Sequence, residues 1–316
     1  MLNLLRRGAP AFEALSPAAG WVVPEDAIWL DLLNPTRDEE LAVEAALGLE
    51  LPTAEEMAQL EPSSRLYQEN GATFMTATLL ARSDEGPRAA PVTFVLSKGL
   101  LIDLRYTDLR AFTAFAGRAP ASGGGSGSAL LLGLLDAVVE RLAEILEQTG
   151  AAVEAASITT FRKGAGKRYD DLLADLARAQ SVTSMTRTSL VSLARLFSFS
   201  ALAPEIASDP ECAAHLKSLQ RDAQSLTEHA GFQSSHIAFL LDAALGLINI
   251  EQNAIIKFFS VVAVVFMPPT LVASIYGMNF HHMPELGWVY GYPMALGIML
   301  ATAVLPFLWF KRRGWL

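Results

Sequence analysis

The stretch FFSVVAVVFMPPTLVASIYGMNF, at 258–280, holds 23 consecutive residues without a formal charge. A second stretch, LGWVYGYPMALGIMLATAVLPFLWF at 286–310, holds 25. A helix needs about 20 mostly apolar residues to cross a bilayer, so both qualify as membrane helices close to the C-terminal end. Lys257 precedes the first, Lys311, Arg312 and Arg313 follow the second, and the loop between them has no Lys or Arg. The positive-inside rule then puts both termini in the cytoplasm and the loop outside. The basic tail reads as this orientation signal alone, or also as a ring of positive charge at a pore mouth.

The remainder of the chain is of another kind. Of 316 residues, 52% are hydrophobic and 18% charged, where soluble domains carry about 25% charged residues. Four of the 24 Lys and Arg and one of the 33 Asp and Glu lie in 254–316, which leaves a net of −12 in 1–253 and +3 in the tail. Such an acidic balance argues against a nucleic-acid partner. A single cysteine, Cys212, excludes an internal disulfide framework and any multi-cysteine zinc site. Residues 1–12 contain Arg6 and Arg7 but no apolar core of signal-peptide length. The large acidic part is therefore expected to stay in the cytoplasm.

Within that part, AIWLDL at 27–32 reads as a strand. Asn34-Pro35-Thr36 ends it, and 37–48 has helical spacing with acids in its first turn. Residues 73–80, 92–97 and 100–105 are rich in β-branched and apolar side chains and read as strands, with a turn cluster at Ser83-Asp84-Glu85-Gly86-Pro87. The run Ser122-Gly123-Gly124-Gly125-Ser126-Gly127-Ser128 lacks the Gly-Lys-Ser/Thr of a phosphate-binding loop. It reads instead as a flexible loop with a serine N-cap before the helical 129–148. Residues 169–197 are helical as well, and Pro204 and Pro210 then break the chain. From 211 to 276 apolar residues recur at helical spacing, which suggests one helix of some 66 residues, roughly 100 Å long. Gly231, Gly246 and the polar run 227–236 argue against its continuity.

The first membrane segment has a seam. Asn253, Ile256, Ser260, Ala263, Met267, Thr270, Ser274 and Gly277 recur at steps of three and four, which places them on one helix face. Six of the eight are small or polar. Close helix packing uses such residues, and so would a pore lining; the spacing fits both. Pro268-Pro269 removes two backbone donors and is expected to kink or loosen the helix. Neither uncharged stretch contains a carboxylate, so the oxygens on offer are amide, hydroxyl and carbonyl. These suit a hard cation that keeps its water, as Mg2+ does.

Tyr276-Gly277-Met278-Asn279-Phe280 is followed by Met283-Pro284-Glu285-Leu286 and then by Trp288 and Gly291-Tyr292-Pro293. The approach reads Ile248-Asn249-Ile250-Glu251-Gln252-Asn253, and the chain ends Phe310-Lys311-Arg312-Arg313-Gly314-Trp315-Leu316. A Gly-Met-Asn and a Met-Pro-Glu-Leu between two membrane helices close to the C-terminal end resemble the CorA family of magnesium/cobalt transporters. The close match covers about 248–316, with a looser one through Trp29, Asp31, Leu32 and Pro35, and the length suits the enterobacterial type. The resemblance implies a funnel-shaped homopentamer in the cytoplasmic membrane that passes Mg2+ passively, and also Co2+ and Ni2+. It implies a selectivity filter at Gly277, Met278 and Asn279, with pore-lining or gating roles for Asn253, Ile256, Met267 and Thr270. It also implies closure by cytosolic Mg2+ bound between subunits, to Asp222 and to an acid near Asp84 or Glu85. Asp222 reads equally as part of a solvated helix face. Where the family often has Glu after GMN-Phe, this chain has His281-His282, so Glu285 is the loop's one formal charge. The two histidines are either solvated or ligands for softer ions.

The expected fold is an α/β cytosolic domain, then a long stalk helix and two C-terminal transmembrane helices. The expected divisions are 1–120 α/β, 121–210 helical, 211–253 stalk, 254–280 first membrane helix, 281–288 outer loop, 289–310 second membrane helix and 311–316 basic tail. No organic cofactor and no enzymatic constellation is expected; the expected partners are further copies of the chain and membrane lipid. Two other readings stand beside this one. One is a zinc transporter of the ZntB branch, which the full Met-Pro-Glu-Leu loop disfavours. The other is a cytosolic adaptor anchored by the hairpin, which needs no polar seam.

Overall fold

The computed structural model describes residues 1–17, 20–59, 65–83, 86–122, 125–161, 169–279, 281 and 283–314. Asp84, Glu85, Phe280 and His282 lie outside the described residues. Seven strands form one sheet: β1 (Leu2–Arg6), β2 (Glu13–Leu15), β3 (Ala27–Leu33), β4 (Leu66–Glu69), β5 (Ala72–Ser83), β6 (Gly86–Ser97) and β7 (Leu100–Arg105). Their order is β2-β1-β3-β7-β6-β5-β4. Only β3 and β7 pair in parallel; the other neighbours are antiparallel.

The side-chain period of two explains the layers. Trp29, Phe94, Leu96 and Leu101 face one core, while Leu30, Val95, Ile102 and Leu104 face another. The second core is closed by α1 (Arg37–Leu47) and α2 (Ala54–Gln59) through Val43 and Met57. Thr36 starts α1 with a capping box shared with Glu39, and Gly48 ends it at φ 67°. Capping of this kind is worth about 1 kcal/mol.

The first core is closed by α3 (Arg110–Ala116), α4 (Gly127–Phe161), α5 (Tyr169–Ser200) and the start of α7 (Pro210–Tyr276), with the short α6 (Pro204–Ala207) before it. Ser126 Oγ accepts from the Ala129 N–H at 3.3 Å, and the Gly127 N–H donates to the Gly99 carbonyl at 2.9 Å. A Cβ on Gly127 would come within 2.5 Å of that carbonyl oxygen. Gly127 thus lets α4 dock on the β6–β7 turn, a packing role rather than a phosphate cradle.

The 67-residue α7 is one α-helix. Neither Gly231 nor the run 227–236 interrupts it, and polar side chains of the run hydrogen-bond to α4 and α5. Gln233 Nε2 donates to the Leu146 carbonyl at 3.4 Å, and Gln180 Nε2 donates to Ser234 Oγ at 2.8 Å. Two compact units result: Met1–Arg162 with Asp170–Leu240, and a second that contains Leu241–Leu316. The second holds the membrane part of α7, a 3-10 turn at Pro284–Gly287 and α8 (Gly291–Arg312). Both α7 and α8 are long and apolar enough to cross a membrane, and only 6% and 11% of their apolar windows are buried within the chain. A core helix of a soluble domain would be mostly buried.

Candidate functional site

All eight seam positions of α7, Asn253 to Gly277, are exposed in the single chain. The covered residues of the same segment are Val261, Val262, Val265, Pro268, Pro269, Val272 and Tyr276. At about 100° per residue these lie roughly half a turn from the seam. Val261 is 4% exposed, against 61% for Ile256 and 69% for Met267. The chain therefore covers one side of this segment itself and leaves the polar seam open. In lipid, open polar groups need protein or water beside them.

The chemistry along the seam is that of oxygen acceptors. Thr270 Oγ1 donates its proton to the Phe266 carbonyl at 2.8 Å, which leaves the hydroxyl lone pairs facing outward. Pro268 and Pro269 have no N–H, so the Val264 and Val265 carbonyls lose their helical donors. The helix nevertheless continues through both prolines.

At the end of α7 the Gly277 N–H donates to the Ala273 carbonyl at 2.9 Å and the Met278 N–H to the Ile275 carbonyl at 3.3 Å. These two residues close the last turn and release Asn279, which is exposed, from the helix. Beyond it, the Leu286 N–H donates to the Met283 carbonyl at 3.2 Å and the Trp288 N–H to the Glu285 carbonyl at 3.3 Å. A Cβ on Gly291 would lie 2.3 Å from the Glu285 carbonyl oxygen. The Met-Pro-Glu-Leu turn thus sits directly on the head of α8, with Glu285 and His281 exposed.

The cytosolic metal site inferred from sequence is not assembled among the described residues. Asp222 is exposed on α7, Asp84 and Glu85 lie outside the described set, and no three His, Cys, Asp or Glu gather as a metal site among the described residues.

One polar cluster went unread in the sequence. Asp31 on β3 and Asp103 on β7 are register partners, and both pair with Arg105. Trp29 Nε1 donates to Asp103 Oδ1 at 2.7 Å, Asn3 Nδ2 donates to Asp31 Oδ2 at 3.1 Å, and the guanidinium of Arg105 lies 4.4 Å from the centre of the Phe112 ring. Burial pushes the Asp103 carboxyl up to about 7, against the pull of Arg105. Two charges two residues apart in the otherwise apolar LLIDLR are the signal that could have revealed it.

The description "CorA-like Mg2+ transporter protein" belongs to the family profile that matches residues 24–312. The magnesium transport protein CorA of Salmonella typhimurium is 37% identical over 294 residues, which are 92% of each chain. Among solved structures, the complete CorA magnesium transporter of Methanocaldococcus jannaschii superposes with a TM-score of 0.77 at 15% identity, covering 100% of this chain and 99% of that one. The ZntB cytoplasmic domain of Vibrio parahaemolyticus gives a TM-score of 0.54 at 13% identity, covering 80% of this chain and 99% of that one. At these identities the two structures are similar in fold.

Proposed function

The chain belongs to the CorA-like Mg2+ transporter family, and on that premise we propose that it carries Mg2+ passively across the cytoplasmic membrane, with both termini cytoplasmic. The activity is transport rather than catalysis. The observation that carries this reading is the exposed seam of α7, opposite the face its own chain covers. Five copies meeting through their seams would enclose a path lined by Asn253, Thr270 and backbone carbonyls. Mg2+ loses its water reluctantly, so these oxygens would hold the hydrated ion through its water shell. The Asn279 amides, released together by the Gly277-Met278 turn, would form the outer selecting ring, with Glu285 as the attracting charge beside it. Ile256 and Met267 would be apolar constrictions that close by dewetting. Mg2+ bound at Asp222 would favour the closed state.

The zinc reading has less support, because the 37% identical relative is a magnesium transport protein whereas the likeness to ZntB is one of fold. The anchored-adaptor reading gives no role to an open polar seam. The test is flux into liposomes containing only this protein. Mg2+ entry that Co2+ competes and Zn2+ competes poorly is expected. Zn2+ entry indifferent to Mg2+ would replace the proposal with the zinc reading, and absence of any divalent flux would favour the adaptor.

A further inference from the structure

β4 pairs with β5 only as far as Met75, the Arg65 carbonyl accepts the next N–H, that of Thr76, and beyond it the β5 edge leaves the β4 ladder. Where β4 stops, a cavity of about 420 Å3 opens between this edge and one face of α5. Its walls are tied together: Arg65 Nη1 donates to Thr78 Oγ1 at 2.8 Å, and the Thr78 N–H donates to Ser192 Oγ at 2.9 Å. Three arginines line it, Arg65, Arg187 and Arg195, and its described lining contains no Asp or Glu. Arg187 and Arg195 are exposed and make no hydrogen bond or ion pair with the described residues. In a part of the chain with a net charge of −12, Arg187 and Arg195, two guanidinium groups with no partner among the described residues, stand against the prevailing charge. Among the described residues a metal ion has no ligand set here. An anion has forks that match phosphoryl oxygens and the hydroxyls of Ser184 and Thr188 beside them.

Spacing narrows the class. Arg187 and Arg195 stand eight residues apart on α5, about 12 Å along the helix axis, with Arg65 across the cavity. A single phosphate is too small to engage both ends at once, whereas a chain of two or more phosphoryl groups spans them. We propose that this cavity is a binding site for an oligophosphate anion, either an inorganic one or the phosphate tail of a nucleotide. The site does not depend on the transport reading, since binding is read by itself.

The test is calorimetry on the full chain in detergent, with divalent cations chelated and at low ionic strength, using inorganic pyrophosphate, ATP and inorganic phosphate as separate probes. Pyrophosphate should bind, and Arg187→Gln with Arg195→Gln should weaken it by roughly tenfold or more. Arg178→Gln serves as control, because Arg178 is exposed on the same helix but already paired with Asp175 at 3.3 Å; it should leave binding unchanged. ATP binding tighter than pyrophosphate would identify the nucleotide as the source, and equal binding the phosphate chain alone. No binding, equal loss in the Arg178 control, or inorganic phosphate binding as tightly as pyrophosphate would overturn the proposal.

Discussion

Inside the sheet, two carboxylates share one guanidinium. Asp31 and Asp103 both reach Arg105, and with Asp103 fully enclosed the fold favours its protonated form. Its carboxyl titrates at about 7 in the folded chain, against 3.8 when unperturbed. A raised acid contributes its stability fully below the unfolded value and loses it as pH rises through the folded one. The stability of the detergent-solubilised chain should therefore fall between about pH 4 and pH 7, by an amount of order 1 kcal/mol or more, read as a declining thermal midpoint. Asp103→Asn keeps an acceptor for Trp29 but cannot ionise, so its midpoint should lack that decline; parallel slopes for the two proteins would show that Asp103 is already charged. Trp29 and Asp31 were legible in the sequence as part of the looser family resemblance. Arg105 was not, because its pairing depends on β3 and β7 lying side by side, and those strands are about 70 residues apart in the sequence.

At the scale of elements, α7 was the most legible. Steps of three and four mark its apolar side through Leu219, Ala223, Ile237 and Leu240, all buried. The same steps mark its polar seam, all exposed. Its continuity was harder to read, since glycine and polar residues lower local helix propensity. Hydrogen bonds to α4 and α5 override that, and propensity alone cannot report them. β1, β2 and β4 escaped notice because three to five residues are too few to establish an alternation. On the seam, Ile256 and Met267 are eleven residues apart, roughly 16 Å along the axis. If they form dry rings, Ile256→Ser should keep the passage wet and raise divalent leak several-fold at high internal Mg2+, where the parent is shut. Flux assays on proteoliposomes loaded with Mg2+ would read this. A variant that assembles and stays equally tight would move the gate to Met267.

For the whole molecule, charge connects the parts. Residues 1–253 carry −12, and five such domains around one axis would repel each other. Divalent cations bound between them would relieve that repulsion and shift the population towards the closed form. Mg2+ should accordingly raise the thermal midpoint of the detergent-solubilised chain and slow proteolysis of its cytosolic part; identical digestion with and without Mg2+ would contradict a cytosolic sensor. Two-span topology and family were legible because membrane length and the Gly-Met-Asn motif are local features. Assembly was not, since a single chain can show only which faces it leaves open. A ring of Asn279 amides, as proposed, would join assembly to selectivity, and losing it would remove the outer amide contacts to the ion's water at once. The decisive measurement is therefore Mg2+ flux into liposomes for Asn279→Ala beside the parent, with the oligomer of each sized first. An intact oligomer whose flux falls to the background of empty liposomes is the expected result. Near-parental flux through the alanine variant would contradict passage of the ion through a Gly-Met-Asn ring.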